Sequence, residues 1–197
     1  MIRKLALIGI TLLWVSGTTG CLLDPEKTPP DDGGGVIPPT AKFENLSEEW
    51  HVLNNLELAY LQRNTDEIEK LMDDAFTFFF SDGDVGGSIP VQWNREAEIA
   101  ASKGMLTGSN RLLSVDVDIQ FDKNTLQWIN VNPDPQGPFA GEIWKTTTVT
   151  YIFTLRVDED LTFITAGAPR VQFTIREADV NGTMVWRLIE WRDLANS

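Results

Sequence analysis

The chain has 197 residues, room for one ordinary domain with additional segments. Its 42% hydrophobic and 23% charged residues are the proportions of a folded globular protein, not of a disordered one. A formal net charge of −13 repels phosphates and anionic headgroups, so nucleic acid is excluded as an expected partner.

The first twenty residues stand apart from the rest. Arg3 and Lys4 precede an apolar run from Leu5 to Val15 that only Gly9 and Thr11 interrupt, and small residues fill Ser16 to Gly20. That is the layout of a secretory signal peptide, too short for a comfortable membrane span. Cys21 follows at once and is the only cysteine, so it cannot staple the domain with a disulfide. Small residues leading into a lone cysteine resemble a bacterial lipoprotein signal, although Thr18 stands where that family usually has an aliphatic residue. The resemblance implies that the Cys21 thiol takes a diacylglycerol and becomes the mature N-terminus. The alternative is an ordinary secreted protein with an unpaired cysteine. Leu22, rather than Asp, follows the cysteine, which by the same resemblance implies the outer membrane where the source has one. Such an anchor needs no transmembrane helix.

Residues 21–40 then read as a tether. Asp24 to Thr40 is rich in Pro, Gly and Asp, and has too little apolar surface to offset its ordering entropy. The folded domain is expected over 41–197.

Leu46 to Arg63 has helical spacing in Trp50, Leu53, Leu56 or Leu58, Tyr60 and Leu61, and Asn45 with Glu48 has the spacing of a capping box. Within it His51, the only histidine, reads as a helix-surface residue. Asn64-Thr65 can cap a second, short helix that buries Ile68, Leu71 and Met72. Phe76 and Phe78 to Phe80 put four phenylalanines in five residues, which suits a strand buried on both faces. The acidic loop Asp82 to Gly87 lacks the donor spacing and closing Glu of a calcium loop. Trp93 to Lys103 reads as a third helix, ended by Gly104.

Strands follow. Leu113, Val115, Val117, Ile119 and Phe121 alternate with polar residues; Asp122 to Asn124 turns into Thr125 to Val131; Asn132 to Pro138 is a proline-rich loop. Glu142 to Val157 is a long strand with Val149, Tyr151, Phe153 and Leu155 on one face, and Leu161 to Ala166 is a short edge strand. The end of the chain is a hairpin. Val171, Phe173 and Ile175 alternate inward, Asn181-Gly182 is a type I′ turn signal, and Trp186 and Trp191 lie on the returning strand. A strict two-residue loop sets Leu188 opposite Ile175, whereas a bulge sets Trp191 on that face.

Helices first and antiparallel strands afterwards make an α+β domain. The runs Ala59 to Asp66, Leu71 to Thr77 and Trp186 to Asp193 resemble the nuclear transport factor 2-like superfamily, of cystatin-like fold, which includes ketosteroid isomerases and polyketide cyclases. The resemblance spans about residues 41–197. It implies a curved antiparallel sheet packed on the N-terminal helices into a cone, whose mouth often holds a small apolar ligand. The isomerase relatives carry a carboxylate base shortly after the Asp73-Asp74-Ala75 turn, a place that falls here on Phe79. Their oxyanion-holding tyrosine falls here near Asn55 or Leu56, a full turn from Tyr60. Steroid-isomerase chemistry needs both groups in one pocket, and both are missing.

Asp116 and Asp118 read as a solvated strand face, and Asp193 as a partly buried acid beside Trp191. No Ser-His-Asp set, metal-ligand cluster or phosphate loop is present in the sequence, so no catalytic residue, metal or cofactor is assigned. The expected pocket comprises Tyr60, Phe78, Trp93, Phe153, Trp191 and Asp193. Two functions stay open. One is a lipid-anchored envelope protein that binds a small apolar ligand or a protein partner, with a homodimer possible. The other is a lipid-anchored dehydratase, cyclase or isomerase-like enzyme using a pocket acid. A buried carboxylate within hydrogen-bond reach of Tyr60 or Tyr151 would favour the second.

Overall fold

The computed structural model describes residues 24–25, 41–81, 85, 90–107, 116–156, 162–165 and 169–194. The leader, Cys21, most of the tether, most of the acidic loop, and residues 108–115 and 157–161 lie outside them. The helices are α1 (Glu49–Leu61), α2 (Thr65–Leu71) and α3 (Arg95–Thr107). The strands are β1 (Asp24–Pro25), β2 (Met72–Phe79), β3 (Gln92–Asn94), β4 (Asp116–Phe121), β5 (Ile129–Val131), β6 (Trp144–Arg156), β7 (Thr162–Ile164), β8 (Arg170–Val180) and β9 (Thr183–Leu194).

Local chemistry accounts for the helix ends and corrects three expectations. The carboxamide of Asn64 accepts a hydrogen bond from the amide of Glu67 at 3.2 Å and caps α2. Asn45 instead bonds Ser47 in the turn before α1, which starts only at Glu49 and has no side-chain cap. Gly104 does not end α3, which runs on to Thr107. A Cβ at that position would meet nothing, so the helix passes through it unhindered. Trp93 lies on β3 rather than in α3, and Asn94 caps the helix through the amide of Ala97 at 3.1 Å.

The described strands form one curved sheet in the order β1-β7-β6-β8-β9-β2-β3, with β4 and β5 on the other edge of β6. β6 changes neighbours half-way. Its first half pairs with β5 and β8, its second with β4 and β7. The sheet is mixed, not purely antiparallel, because β2 runs parallel to β9, with Phe78 opposite Trp191. That pairing joins the first long strand of the domain to the last, a contact no local pattern announces. β2 also buries one face more than the other. Phe76 and Phe78 point into the core, while Phe79 turns outward and lies under the Arg192 guanidinium, 3.8 Å from its ring centre. Asp24 and Pro25, two residues of the expected tether, pair with Ile164 and Phe163 at the sheet edge.

The terminal hairpin uses both registers. Asn181 and Gly182 have φ of 56° and 83°, as a type I′ turn requires. Pairing runs strictly from Val180 opposite Thr183 to Ile175 opposite Leu188. The register then shifts by one residue, so that Thr174 faces Glu190 and Phe173 faces Trp191. Leu188 and Trp191 therefore both point inward, on either side of a bulge at Ile189.

The core lies between this sheet and α1. Val52, Leu53 and Leu56 are fully buried with Phe173, Ile175 and Leu188. Trp50, expected inside, is 44% exposed, and Val52 occupies the inner face in its place. Two polar residues of α1 are buried as well, each on a backbone partner. Asn55 donates to the Glu44 carbonyl and accepts from its amide, both at 2.8 Å. Glu57 accepts from the Phe121 amide at 2.7 Å and is ion-paired with Lys123. No helix among the described residues is long and apolar enough to cross a membrane.

Candidate functional site

Five elements bring the site together. α1 delivers Tyr60 near its C-terminal end, β2 and β9 set Phe78 and Trp191 side by side, and β3 with α3 supplies a further wall. Phe78 packs 5.6 Å from Trp93 and 5.7 Å from Trp191, and Phe80 stacks edge-on to Phe78 and Trp93 at 4.8 Å each. Trp191 continues to Phe173 at 4.9 Å, and Tyr60 meets Phe153 at 6.4 Å. Such tilted and edge-to-face contacts add to what area burial alone gives. Phe78, Trp93 and Trp191 thus stand in one aromatic wall with Phe80 and Phe173, Tyr60 and Phe153 form a pair of their own, and Asp193 accepts from the Trp191 indole at 3.3 Å.

At the centre of that wall is a residue the sequence reading passed over. Glu98, in the first turn of α3, is only 6% exposed. One carboxylate oxygen accepts from the Trp93 indole at 2.9 Å, and the other from the Ser102 hydroxyl at 3.3 Å. The Tyr60 hydroxyl is 3.1 Å from Ser102. Ser102 has a single hydroxyl proton, so while it donates to Glu98 the Tyr60 phenol donates to it. A relay Tyr60–Ser102–Glu98–Trp93 therefore crosses the interior from α1 to β3.

No ion pair to Glu98 is present among the described residues, and its electrostatics follow from that. Burial pushes its carboxyl up to about 7, Ser102 and Trp93 oppose the shift, and the charge of Asp193 adds to it. Burial, and then the charge of Glu98, raise the Tyr60 phenol well above its ordinary range, so it remains a proton donor. A carboxyl poised near neutrality beside a permanently protonated phenol can accept a hydrogen bond, donate one, or exchange a proton with a bound molecule.

No family model matches the chain, and no curated protein does. Among solved structures it is similar to a nuclear transport factor 2-like protein of unknown function from Pseudomonas putida, at 14% identity and a TM-score of 0.47 over 77% of this chain and 86% of that one. It is also similar to a nuclear transport factor 2-like protein from Rhodospirillum rubrum, described as of unknown function in nutrient uptake, at 14% identity and 0.45 over 76% and 99%. A protein of cystatin-like fold from Caulobacter vibrioides matches at 11% identity and 0.43 over 75% and 87%. The likeness is one of fold.

Other expected positions fall outside the wall. Phe79, where the resemblance would set an isomerase base, faces away from it; of Asn55 and Leu56, where it would set the oxyanion tyrosine, the first is bonded to the Glu44 backbone and the second is fully buried. Asp118 accepts from Gln120 on the outer face of β4, as a solvated strand face requires. His51 is half-buried against Trp50, with its Nε2 3.9 Å from Glu44, rather than on the helix surface. No group of His, Cys, Asp and Glu among the described residues is arranged to hold a metal ion. Glu98 and Ser102 did have a sequence signal. With Leu106 they form an i, i+4, i+8 stripe, the inward face of α3.

Proposed function

We propose that residues 41–197 are the folded part of a lipid-anchored envelope protein, held through Cys21, and that their interior binds a small, largely apolar molecule without transforming it. The observation that carries this reading is the packing of Phe78 against both Trp93 and Trp191, with the one buried carboxyl beside them, Glu98, held by the Trp93 indole and Ser102 rather than bonded directly to Tyr60. Aromatic surface supplies affinity in such a site, and one or two placed polar groups supply orientation. The apolar stretch ahead of Cys21 supports the anchor.

A second reading has its own support. Glu98 is a buried carboxyl one hydroxyl away from Tyr60, with a pKa near the pH at which a general acid or base works best. Under that reading the anchored domain is an acid–base enzyme.

Glu98→Gln separates the two, because the amide preserves the shape and most hydrogen bonds and cannot exchange the proton. The parent domain and the variant are incubated with envelope extract, and small molecules are followed by mass spectrometry. Recovery of one unchanged molecule from both proteins is expected. Turnover by the parent, lost by roughly a hundredfold or more in the variant, refutes the binding reading and establishes the enzyme. The anchor is tested apart, through Cys21→Ser in the full-length chain. Loss of membrane fractionation is expected, and unchanged fractionation refutes the anchor.

A further inference from the structure

On the outer face of the sheet, away from the aromatic interior, a groove of about 320 Å³ lies between residues 131–134 and strands β6, β8 and β9. Its lining combines the Trp144 indole with the amides of Asn132 and Gln172, the hydroxyls of Thr146 and Thr174, and the carboxylates of Asp134 and Glu190. No lysine, arginine or histidine lines it. Phosphate and other anionic ligands are therefore disfavoured, since the lining carboxylates of Asp134 and Glu190 repel them and Arg192, the cation beside the groove, is already 3.8 Å from Glu190 and stacked over Phe79. Some of these groups pair within the protein, Thr146 with the Phe173 carbonyl, Thr174 with Glu190 and Asp134 with the Gln136 amide, but the lining stays polar, and an apolar ligand would desolvate it without offering hydrogen bonds in return. What remains is a neutral molecule with many hydroxyl groups and at least one flat C–H face.

The groove is also held rigid. The Trp144 indole donates to Glu142 at 2.9 Å, and its ring packs 5.5 Å from Phe139. Glu142 accepts twice from Arg176 at 3.1 and 3.2 Å, and Arg176 also stacks over Phe139 at 4.6 Å. Arg176 in turn donates at 2.9 Å to Asp73, whose side chain is buried in β2. A chain of charged contacts from the core thus fixes the orientation of one surface indole, an arrangement that preorganises a binding platform.

We propose that this groove is a binding site for a neutral saccharide, with a pyranose ring laid on Trp144 and its hydroxyls bonded to Gln172, Asn132 and the carboxylates. Amide and carboxylate side chains match vicinal hydroxyls because they can accept, and the amides also donate, from one plane. The site is separate from the interior and does not depend on its ligand.

The full-length chain in detergent micelles provides the parent. Its heteronuclear NMR spectrum is titrated with N-acetylglucosamine tetramer, cellotetraose and maltotetraose, up to about 10 mM, a range that detects affinities in the millimolar class. We expect shifts confined to β6, β8, β9 and residues 131–134 with at least one probe. Gln172→Ala and Trp144→Ala should each weaken that binding about tenfold or more, and Glu98→Gln should leave it unchanged. Gln172 is on an outward strand position, so its variant tests the site even if Trp144→Ala loosens the loop. Absence of binding by all three probes overturns the proposal. So does binding that neither variant weakens, or that Glu98→Gln abolishes.

Discussion

Substituting Glu98 by Gln should make the domain more stable, and should do so only above a particular pH. The carboxyl has its ordinary value near 4.5 in the unfolded chain and is pushed up to about 7 in the fold, chiefly by burial. Below the unfolded value it is protonated in both states and contributes no pH dependence. Between the two values the folded state holds a proton that the unfolded state has released, so stability falls as pH rises. Above the folded value the carboxylate is ionised in both states, and the whole cost of burying the charge is present. At 1.36 kcal/mol per pH unit, the interval corresponds to about 3 kcal/mol, a substantial part of the roughly 5–15 kcal/mol that holds a domain together. The amide of Gln can still accept from Trp93 and can donate to Ser102, so the relay survives the change. Urea unfolding followed by tryptophan fluorescence, on parent and variant from pH 4 to 8, measures the difference. The chain has many other acidic groups, but they act alike in both proteins and drop out of the comparison. The variant should match the parent near pH 4 and exceed it progressively from pH 5 to 7. It should stay ahead by about 3 kcal/mol at pH 8. A difference that is constant across this range would refute the picture of a buried, uncompensated carboxyl.

Three further outcomes follow from the packing. Trp191→Ala removes a ring that is 6% exposed between Phe78 and Phe173, and should cost roughly 3–5 kcal/mol in urea unfolding at pH 7; a loss under about 1 kcal/mol would place that ring outside the core. Gly182→Val puts a β-branched residue at a φ of 83°, and should lower stability by about 1–3 kcal/mol and broaden the amide spectrum of the hairpin; an unchanged spectrum and melting curve would contradict the turn. Arg176→Met leaves the side chain of Asp73 buried without its guanidinium partner, and should cost about 3–5 kcal/mol in urea unfolding at pH 7; a loss under about 1 kcal/mol would show that the pair does not hold the fold.

The hairpin was legible because its information is local. Alternation over Val171 to Ile175, an Asn-Gly turn and two returning tryptophans lie within a few residues of each other, and each agrees with the others. The burial of Phe78 and Trp191 was legible one residue at a time, from the strand pattern around each, but not their meeting. What escaped was either non-local or chemically disguised. The parallel pairing of β2 with β9 joins positions more than a hundred residues apart and leaves no mark in either strand. Glu98 and Ser102 look like ordinary surface residues of a helix dense in charge, and only the position of Leu106 one turn further on shows which face turns inward. The lack of an isomerase base at Phe79 was visible in the sequence. That a carboxyl on a different element occupies the interior instead was a matter of three-dimensional convergence.

The bulge at Ile189 gives β9 one residue of slack. Leu188 and Glu190 are each paired across to β8, whereas Ile189 has no opposite number. Deletion of a single residue usually turns over everything downstream in a strand. Here removal of Ile189 would leave every existing β8–β9 pair in place and keep Trp191 opposite Phe173. The deletion would instead flatten the strand, because a bulge is where the local twist is concentrated. Curvature and register, which stand or fall together in an ordinary strand, are separable at this one position, and the contacts around Glu98 can be made to report on the first while the second is held fixed.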